Sequence, residues 1–167
     1  MPRLITKDEA IAWIRAYSGD PPCLMCAVRD GRVGTTHVVV EDDALLVILP
    51  RYVTRWGHVM VLPRQHVTSF RDAPPELWAH VNATAHRAAR VAERVMGALR
   101  CHVASTGSPR GEHPNTSEHL HVHVLPVTDP ADRPRRVFSW DDGVWIAEPE
   151  EWAELLARYR TAWADDA

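Results

Sequence analysis

The fold is decided by the stretch His119-Leu120-His121-Val122-His123-Val124-Leu125-Pro126, in which three histidines alternate with apolar residues. Successive side chains of a β-strand point to opposite faces, so the alternation predicts a strand with three imidazoles on one face. Same-face neighbours are roughly 6.6 Å apart, close enough for adjacent rings to serve one substrate or one metal ion. The alternative is a half-exposed strand whose histidines share no role, although packing alone gains nothing from three imidazoles in register.

Three strand-like segments precede this stretch, and a long helix separates them from it. The strands are expected at 35–40, 44–49 and 58–62 and form an antiparallel meander. Apolar residues at helical spacing, with prolines at the start, predict a helix from 75 to about 99. A further strand at 101–104 leads through a loop to the histidines. This order predicts an α+β fold with a largely antiparallel sheet.

Both ends of the chain are predicted to be helical. Thr6 and Glu9 have capping-box spacing, before a short amphipathic helix that includes Trp13 and ends by Gly19. A charged, proline-rich stretch at 129–136 leads to an amphipathic helix at 150–163. The tail is either a packed extension, or a lid or dimer contact that shapes a substrate pocket. Its tryptophans are Trp140, Trp145, Trp152 and Trp163.

The composition is that of one globular domain. The 167 residues are 46% hydrophobic with a formal net charge of -3, so the chain lacks the general basic field of a nucleic-acid binder. No apolar run reaches the roughly 18 residues of a membrane span, and the first residues lack the apolar core of a secretion signal. Three cysteines do not make a disulfide framework. We therefore expect a cytoplasmic protein that binds neither nucleic-acid polymers nor membranes.

Cys23 and Cys26 form a Cys-x-x-Cys pair that follows two prolines. Zinc prefers tetrahedral sulfur and nitrogen ligands, so this pair supplies two thiolates, and histidines downstream are available to complete a site. The residues alone leave open which histidines these are. They also leave open a thioredoxin-like redox pair or two unligated thiols, although the βαβ setting of thioredoxin is absent.

The alternating histidines closely resemble the active-site strand of the histidine triad (HIT) superfamily. Residues 57–66 resemble its strand that ends in a proline, a basic residue and a histidine, and residues 22–26 resemble the Cys-x-x-Cys of its zinc-containing members. The resemblance covers about residues 20–127. It implies a HIT-like fold, with a five-stranded antiparallel sheet, a long helix and a C-terminal helical extension. The implied division is an N-terminal helix at 1–19, a catalytic domain at 20–127 and an extension at 128–167 packed on that domain.

The resemblance also implies a metal site and an oligomeric state. In the zinc-containing relatives the remaining ligands are the histidine after the basic residue and the first triad histidine. Carried over, these positions give a closed Cys2His2 zinc site of Cys23, Cys26, His66 and His119. A site with all four positions filled is structural. Many relatives pair through the long helix and the adjacent strand, which implies a homodimer.

With His119 assigned to the metal, His121 and His123 remain for chemistry. In the family the middle histidine attacks the α-phosphorus of a nucleotide, and His121 matches that position. A neutral imidazole is a good nucleophile near pH 7, and a covalent intermediate divides one difficult step into two easier ones. His123 would bind the phosphate oxygens. The resemblance thus implies a nucleotide hydrolase or nucleotidyltransferase, with a dinucleoside polyphosphate or a nucleoside phosphoramidate as the favoured substrate.

The loop before the triad departs from the family pattern. Thr116 stands where the family usually has serine or threonine near the scissile bridge, so it is a candidate contact to the leaving group or else an ordinary loop hydroxyl. Asn115 replaces a glutamine, Ser117 replaces an apolar residue, and Ser108 stands where asparagine or glutamine is common. Asn115 and Ser108 are our candidate substrate-binding residues in this loop.

A second departure concerns the ribose. Relatives that hold a ribose commonly have an acidic residue where this chain has Pro50, whose side chain accepts no hydrogen bond. Ribose recognition is then absent or has moved to Asp42 or Asp43, and we take Asp43 as a candidate substrate-binding residue. Other residues are either anion-binding or simply solvated, namely Arg51, Arg55 and Arg110.

Two other functions remain open. One is a zinc-stabilised nucleotide-binding or partner-binding module without turnover, favoured by Pro50 and the altered loop but not by the retention of His121 and His123. The other is an open metallohydrolase site on all three triad histidines, which requires the metal to lie on the triad rather than on the cysteines. Loss of zinc in Cys23→Ala would exclude this triad-only site.

Overall fold

The computed structural model describes residues 2–19, 21–106 and 118–166. In this part of the chain it has seven strands and five helices. Their bounds are β1 (Arg3–Ile5), α1 (Lys7–Ser18), α2 (Leu24–Arg29), β2 (His37–Glu41), β3 (Leu45–Leu49), β4 (Val59–Pro63), α3 (Pro75–Met96), β5 (Arg100–Ala104), β6 (Val122–Val127), α4 (Pro134–Val137), β7 (Val144–Ile146) and α5 (Pro149–Ala164). The predicted α+β class is confirmed. None of the helices in the described ranges is long and apolar enough to cross a membrane.

Five strands form one antiparallel sheet in the order β2-β3-β4-β6-β5, which confirms the predicted five-stranded sheet. Strands β2 to β4 are the predicted meander. Strand β6, which carries His123, lies between β4 and β5, with His123 opposite Met60. Because neighbours on both sides pair with β6, its backbone groups are satisfied within the sheet and its side chains are held in fixed positions.

Helix α3 covers one face of the sheet. Alternation sends Val61 of β4 and Val122 of β6 to this face, where both are buried in one core with α3. The helix was predicted to reach about residue 99, but it ends at Met96 because Gly97 takes a left-handed conformation with φ of 61° and caps it. The buried side chains of the helix are Val81, Ala85, Ala88, Val91 and Ala92.

Helix α2 packs on the opposite face. Its Met25 is buried with Met60 and Leu62 of β4. Since side chains alternate along a strand, His123, which pairs with Met60, also lies on this face. The sheet therefore separates an α3 face from a face that carries α2 and the histidines.

The N-terminal segment differs from the predicted helix at 1–19 in two ways. Its first residues form strand β1, which pairs with β7 in a separate two-stranded sheet. Three residues are too short to show a periodicity, which is why β1 was missed. Helix α1 then begins after the predicted capping box, in which the Glu9 amide donates to Thr6 Oγ1 over 3.2 Å. Of its predicted apolar face, Ile11 and Ile14 are half-buried, whereas Trp13 is 41% exposed.

Helix α5 is the predicted C-terminal helix, and it packs on the α3 side of the sheet. Trp152 and Trp163 are buried in the same core as α3, so these two rings do not form an exposed lid. Just beyond the helix, the Asp166 carboxylate is 3.0 Å from Arg90 and also pairs with Arg94. Both arginines belong to α3, so this carboxylate joins the end of the chain to the long helix.

Candidate active site and metal centre

The first two triad histidines, His119 and His121, lie outside the regular strand. The strand was predicted from residue 119, but β6 begins at Val122. Strand β4 ends at Pro63. The Pro63 carbonyl accepts a hydrogen bond from His119 Nε2 over 2.9 Å, so a side chain takes the place of the backbone amide that would pair with this carbonyl in a regular sheet. His119 is fully buried there.

The four predicted metal ligands come together. One ligand atom from each of Cys23, Cys26, His66 and His119 lies within 4.8 Å of all the others. The Cys26 sulfur is 3.2 Å from His66 Nδ1 and 3.5 Å from His119 Nδ1, and the Cys23 sulfur is 3.8 Å from His119 Nδ1. A tetrahedral zinc ion with ordinary bond lengths holds sulfur and nitrogen ligands about 3.6 Å apart. The cluster therefore fits zinc in size and in ligand type.

The orientation of His119 suits a metal ligand. A carbonyl oxygen only accepts, so His119 Nε2 carries the proton that Pro63 receives, and Nδ1 keeps a lone pair toward the sulfurs. Burial lowers the pKa of His119 to about 4, so the ring is neutral at pH 7. These contacts direct His119 away from His121 and His123, which argues against an open metal site on the three triad histidines. The cluster is the one group of this kind found in the described residues.

His121 is oriented by the backbone. Its Nδ1 donates to the carbonyl of His119 over 2.7 Å, which leaves the lone pair on Nε2. Burial lowers the pKa of His121 below its usual value, although the hydrogen bond to the carbonyl acts in the opposite direction. The ring is therefore neutral at pH 7 with a nucleophilic nitrogen available.

A fourth histidine completes a chain of rings. His123 Nε2 is 3.0 Å from His121 Nε2, and His123 Nδ1 is 3.0 Å from His58 Nε2. His58 was not predicted as a site residue. It directly precedes β4 and lies two residues before Met60, so alternation places both side chains on the face of His123, which pairs with Met60. The predicted strand at 58–62 contained this alternation, but its pairing with the triad segment was not predicted.

The directions of these hydrogen bonds follow from the first one. His121 Nε2 has no proton, so it accepts from His123 Nε2, and His123 Nδ1 in turn accepts from His58 Nε2. His58 Nδ1 then has only a lone pair, and it has no hydrogen-bond partner among the described residues. Burial, with His121 nearby, lowers the pKa of His58 to about 3. Burial also lowers the pKa of His123 well below its usual value.

The C-terminal extension supplies one wall of the site. The Phe138 ring lies 6.5 Å from the ring of His123, centroid to centroid. The segment before it is held by Arg55, which pairs with Asp132 over 2.5 Å, and by Thr54, whose hydroxyl donates to the Val137 carbonyl. Sequence reasoning missed Phe138 because its approach to the triad depends on this long-range docking.

The other candidates are placed as follows. Asp43 lies in the exposed turn between β2 and β3 and forms no hydrogen bond or ion pair with a described histidine. Asp42 instead accepts from the amides of Ala44 and Leu45 in the same turn. Arg55 is engaged by Asp132 and is not a free anion-binding group. Several candidates lie outside the described residues, namely Thr116, Asn115, Ser108, Ser117 and Arg110.

A family model described as HIT domain matches residues 32–129, more than half of the chain. The chain belongs to the HIT family. The matched segment includes two of the four candidate metal ligands, His66 and His119, and it includes all three triad histidines, of which His119 is the first. Cys23 and Cys26 precede the matched segment, so half of the cluster comes from outside the HIT domain itself.

Solved and curated HIT relatives agree with this assignment. A Zn-bound histidine triad family protein from Mycobacterium smegmatis is 27% identical, with a TM-score of 0.66 over 86% of this chain and 94% of that one. An uncharacterised HIT-like protein of Methanocaldococcus jannaschii, MJ0866, is 24% identical over 62% of this chain and 78% of its own length. Diadenosine triphosphate hydrolase of Plasmodium falciparum shares the fold, with 13% identity and a TM-score of 0.61 over 77% of each chain. The structural neighbours thus include a zinc-bound histidine triad protein and a diadenosine triphosphate hydrolase.

Proposed function

We propose that this HIT protein is a nucleotide hydrolase or nucleotidyltransferase that attacks the α-phosphate of a phosphoanhydride or phosphoramidate through a nucleotidyl-histidine on His121. The observation that carries the proposal is the 2.7 Å hydrogen bond from His121 Nδ1 to the His119 carbonyl. It fixes the tautomer in which Nε2 holds the lone pair. The His121 side chain is only 8% exposed, so the nitrogen meets a substrate in a largely desolvated site.

The reaction is balanced in two steps. In the first, the Nε2 lone pair forms a bond to the α-phosphorus. The bond to the leaving group breaks, and the leaving group keeps the electron pair and takes up a proton from water. The positive charge that develops on His121 is stabilised by the Nδ1–H donor to the carbonyl. In the second, water or another acceptor attacks phosphorus and loses a proton, and the P–N pair returns to His121. With water as acceptor, the product is a nucleoside monophosphate.

His123 and His58 act on the phosphate side. The proton on His123 Nε2 points at His121 in this structure, and a bound phosphate oxygen would take the place of that acceptor. His58 Nε2–H donates to His123 Nδ1 and so keeps the His123 proton on Nε2, where it faces the substrate. His58 is thus a positioning residue in this proposal.

Substrate contacts are proposed for the loop and the turn. Thr116 would donate to the leaving group, and Asn115 and Ser108 would hold phosphate oxygens. Asp43 would receive a ribose hydroxyl, because Pro50 has replaced the acidic residue expected in HIT relatives. Phe138, which is half-buried beside His123, would contact the nucleoside or the leaving group.

We propose that Cys23, Cys26, His66 and His119 hold a structural zinc ion, which when bound would fasten α2 to the start of the triad segment. The spacing and the types of the ligand atoms, together with the Zn-bound relative, support this. All four positions are filled by protein ligands, so no open position remains for a substrate. His119 would serve twice, through its ring as a ligand and through its carbonyl as the acceptor that orients His121.

The experiment that tests the function is intact-protein mass spectrometry after brief incubation with nucleoside phosphoramidates and dinucleoside polyphosphates. We expect a nucleotidyl adduct or turnover in the wild type and neither in His121→Ala. The matched control is His86→Ala, since His86 is an exposed histidine on α3, and this variant should behave as the wild type. Absence of both signals across the panel would favour the alternative of a zinc-stabilised binding module, for which Pro50 is the supporting observation.

The remaining proposals concern partners and location. We propose a small-molecule partner, a homodimer and a cytoplasmic location. The dimer is supported by exposed apolar residues at β5, the edge strand of the sheet. Leu99, just before β5, is 61% exposed, and Val103 within it is 47% exposed. The location is supported by Cys23 and Cys26, since thiolate ligands persist in a reducing compartment. Light scattering of the purified protein tests the dimer, and a monomeric mass at all concentrations would refute it.

A further inference from the structure

A cavity lies on the side of the sheet away from the triad. Its volume is about 530 Å³, and it is bordered by α1, the start of β2 and the start of α5. His37 of β2 lines it and stacks on Trp152 of α5, with ring centroids 5.0 Å apart and planes 15° apart. Trp152 belongs to the α3 core, whereas His123 lies on the opposite face. The sheet therefore separates this cavity from the triad.

Aromatic side chains form much of its wall. Trp13, Tyr52 and Trp152 all line the cavity. Trp13 is 41% exposed, although its position on α1 predicted burial. A large ring left in contact with solvent at the border of a cavity offers a stacking surface for a flat ligand.

Two arginines of the same cavity each stack on an aromatic ring. Arg3 lies over the Trp13 ring at 5.8 Å, and Arg51 lies over the Tyr17 ring at 4.7 Å. Neither forms an ion pair with any carboxylate in the described ranges, in contrast to Arg55, which pairs with Asp132. Stacking fixes each guanidinium but leaves its N–H donors open to an anion, and the planar donor fork matches a phosphate.

The polar groups on the wall are consistent with an anion. The Glu148 carboxylate also lines the cavity, but it accepts from the amide of Glu151 as part of the α5 capping box. His37 is 8% exposed, and its Nε2 has no hydrogen-bond partner within the described part of the chain. Burial, with Arg51 nearby, lowers the pKa of His37, so the ring is neutral at pH 7. A buried ring nitrogen without a partner is unusual, and a ligand hydrogen bond would satisfy it.

We propose that this cavity is a second ligand site, which binds a planar aromatic ring that carries a phosphate group, of the size of a nucleoside monophosphate. The ring stacks on Trp13, and the phosphate is held by Arg51 and Arg3. The site does not depend on the triad or on its chemistry.

The test uses the full chain labelled with 5-fluorotryptophan, in a His121→Ala background that removes triad chemistry. Adenosine monophosphate is titrated in while the 19F resonances of the seven tryptophans are followed, with that of Trp13 assigned by Trp13→Phe. We expect a saturable shift of the Trp13 signal. Ribose 5-phosphate, which lacks the aromatic base, and adenosine, which lacks the phosphate, should each bind more weakly than adenosine monophosphate.

The arginine variants make the proposal falsifiable. Arg51→Ala should weaken the binding of adenosine monophosphate by about tenfold or more, because a charge-assisted contact is lost. Arg15→Ala is the matched control, since Arg15 is exposed on α1 and does not line the cavity, and it should leave binding unchanged. Thermal unfolding of both variants verifies that they fold. The proposal is overturned by an unmoved Trp13 signal, by equal binding in the two variants, or by equal binding of ribose 5-phosphate.

Discussion

A single residue, His119, links the four candidate metal ligands to the candidate nucleophile, through its ring and its backbone carbonyl. The ring of His119 faces the cysteines, while its carbonyl accepts the Nδ1 proton of His121. Any shift of His119 would therefore change both the ligand geometry and the tautomer of His121. The sequence placed these two histidines on one strand, but it could not show that one orients the other through its backbone.

His58 makes folding stability depend on pH, and we predict the sign. Its pKa is about 3 in the folded protein and about 6.5 when unfolded, so the unfolded state binds more protons in this range. Stability is therefore full above pH 6.5 and is lost as the pH falls toward 3. His58→Gln cannot titrate, so its free energy of unfolding should fall less on acidification. Between pH 6.5 and pH 5 the wild type should lose roughly 2 kcal/mol more than the variant.

Urea unfolding at several pH values, followed by circular dichroism, measures this difference. His86→Gln is the matched control, because it makes the same histidine-to-glutamine change at an exposed position of α3. Parallel slopes for the wild type and His58→Gln would contradict the buried, neutral state of His58.

Helix α2 illustrates an element that depends on its side-chain contacts. Six residues are too few for a helix to be stable in isolation. Here the Cys23 sulfur caps the helix by accepting from the Cys26 amide over 3.3 Å, and Met25 is buried against the sheet. Both cysteines are also candidate zinc ligands, so metal binding and helix formation should be coupled.

We predict that Cys26→Ser loses zinc and frees α2 from the sheet. The purified wild type should contain about one zinc ion per chain, and the variant close to none, because a closed site loses one of four ligands. Metal analysis by mass spectrometry gives the stoichiometry, and limited proteolysis reports cleavage near α2. Cys101→Ser is the control, since this half-buried thiol lies on β5, where it donates to the Ala89 carbonyl. Zinc retained in Cys26→Ser would refute the assigned ligand set.

The elements that the sequence predicted well are those with a long or strict pattern. Helix α3 repeats a helical hydrophobic period, and β3 and β4 are continuous apolar runs. The bounds of β2 to β4 and of α3 therefore came out within three residues. Strands β1 and β7 have three residues each and gain their stability from pairing with each other across the whole chain. No local pattern encodes such a pair, which is why it was missed.

The fold of the whole molecule brings helix α5 close to the candidate active site. Tyr159 of α5 donates to the Gly57 carbonyl over 2.6 Å, and Gly57 directly precedes His58. Gly57 has a φ of 84°, and a Cβ there would lie 2.5 Å from the Met96 sulfur, so position 57 requires glycine. The resemblance to the HIT family predicted the four candidate metal ligands, which the fold brings together, and the alternating histidines themselves predicted the triad. It could not identify Phe138 or Tyr159, since their contacts arise only when the extension docks.

We predict that Tyr159→Phe weakens both the fold and the site. The variant keeps the buried ring but leaves the Gly57 carbonyl without its hydroxyl donor, which should lower the free energy of unfolding by about 1–3 kcal/mol. Because that carbonyl belongs to the residue before His58, the His58–His123 hydrogen bond should loosen and kcat should fall while KM changes little. Urea unfolding and steady-state kinetics on the substrate that labels His121 measure the two effects. Tyr17→Phe is the control, since Tyr17 lies beside Arg51 and forms no hydrogen bond or ring contact with a triad histidine in the described ranges, so its replacement should leave kcat unchanged. Equal kcat values for Tyr159→Phe and the wild type, alongside the expected loss of stability, would mean that the extension supports the core without tuning the histidines.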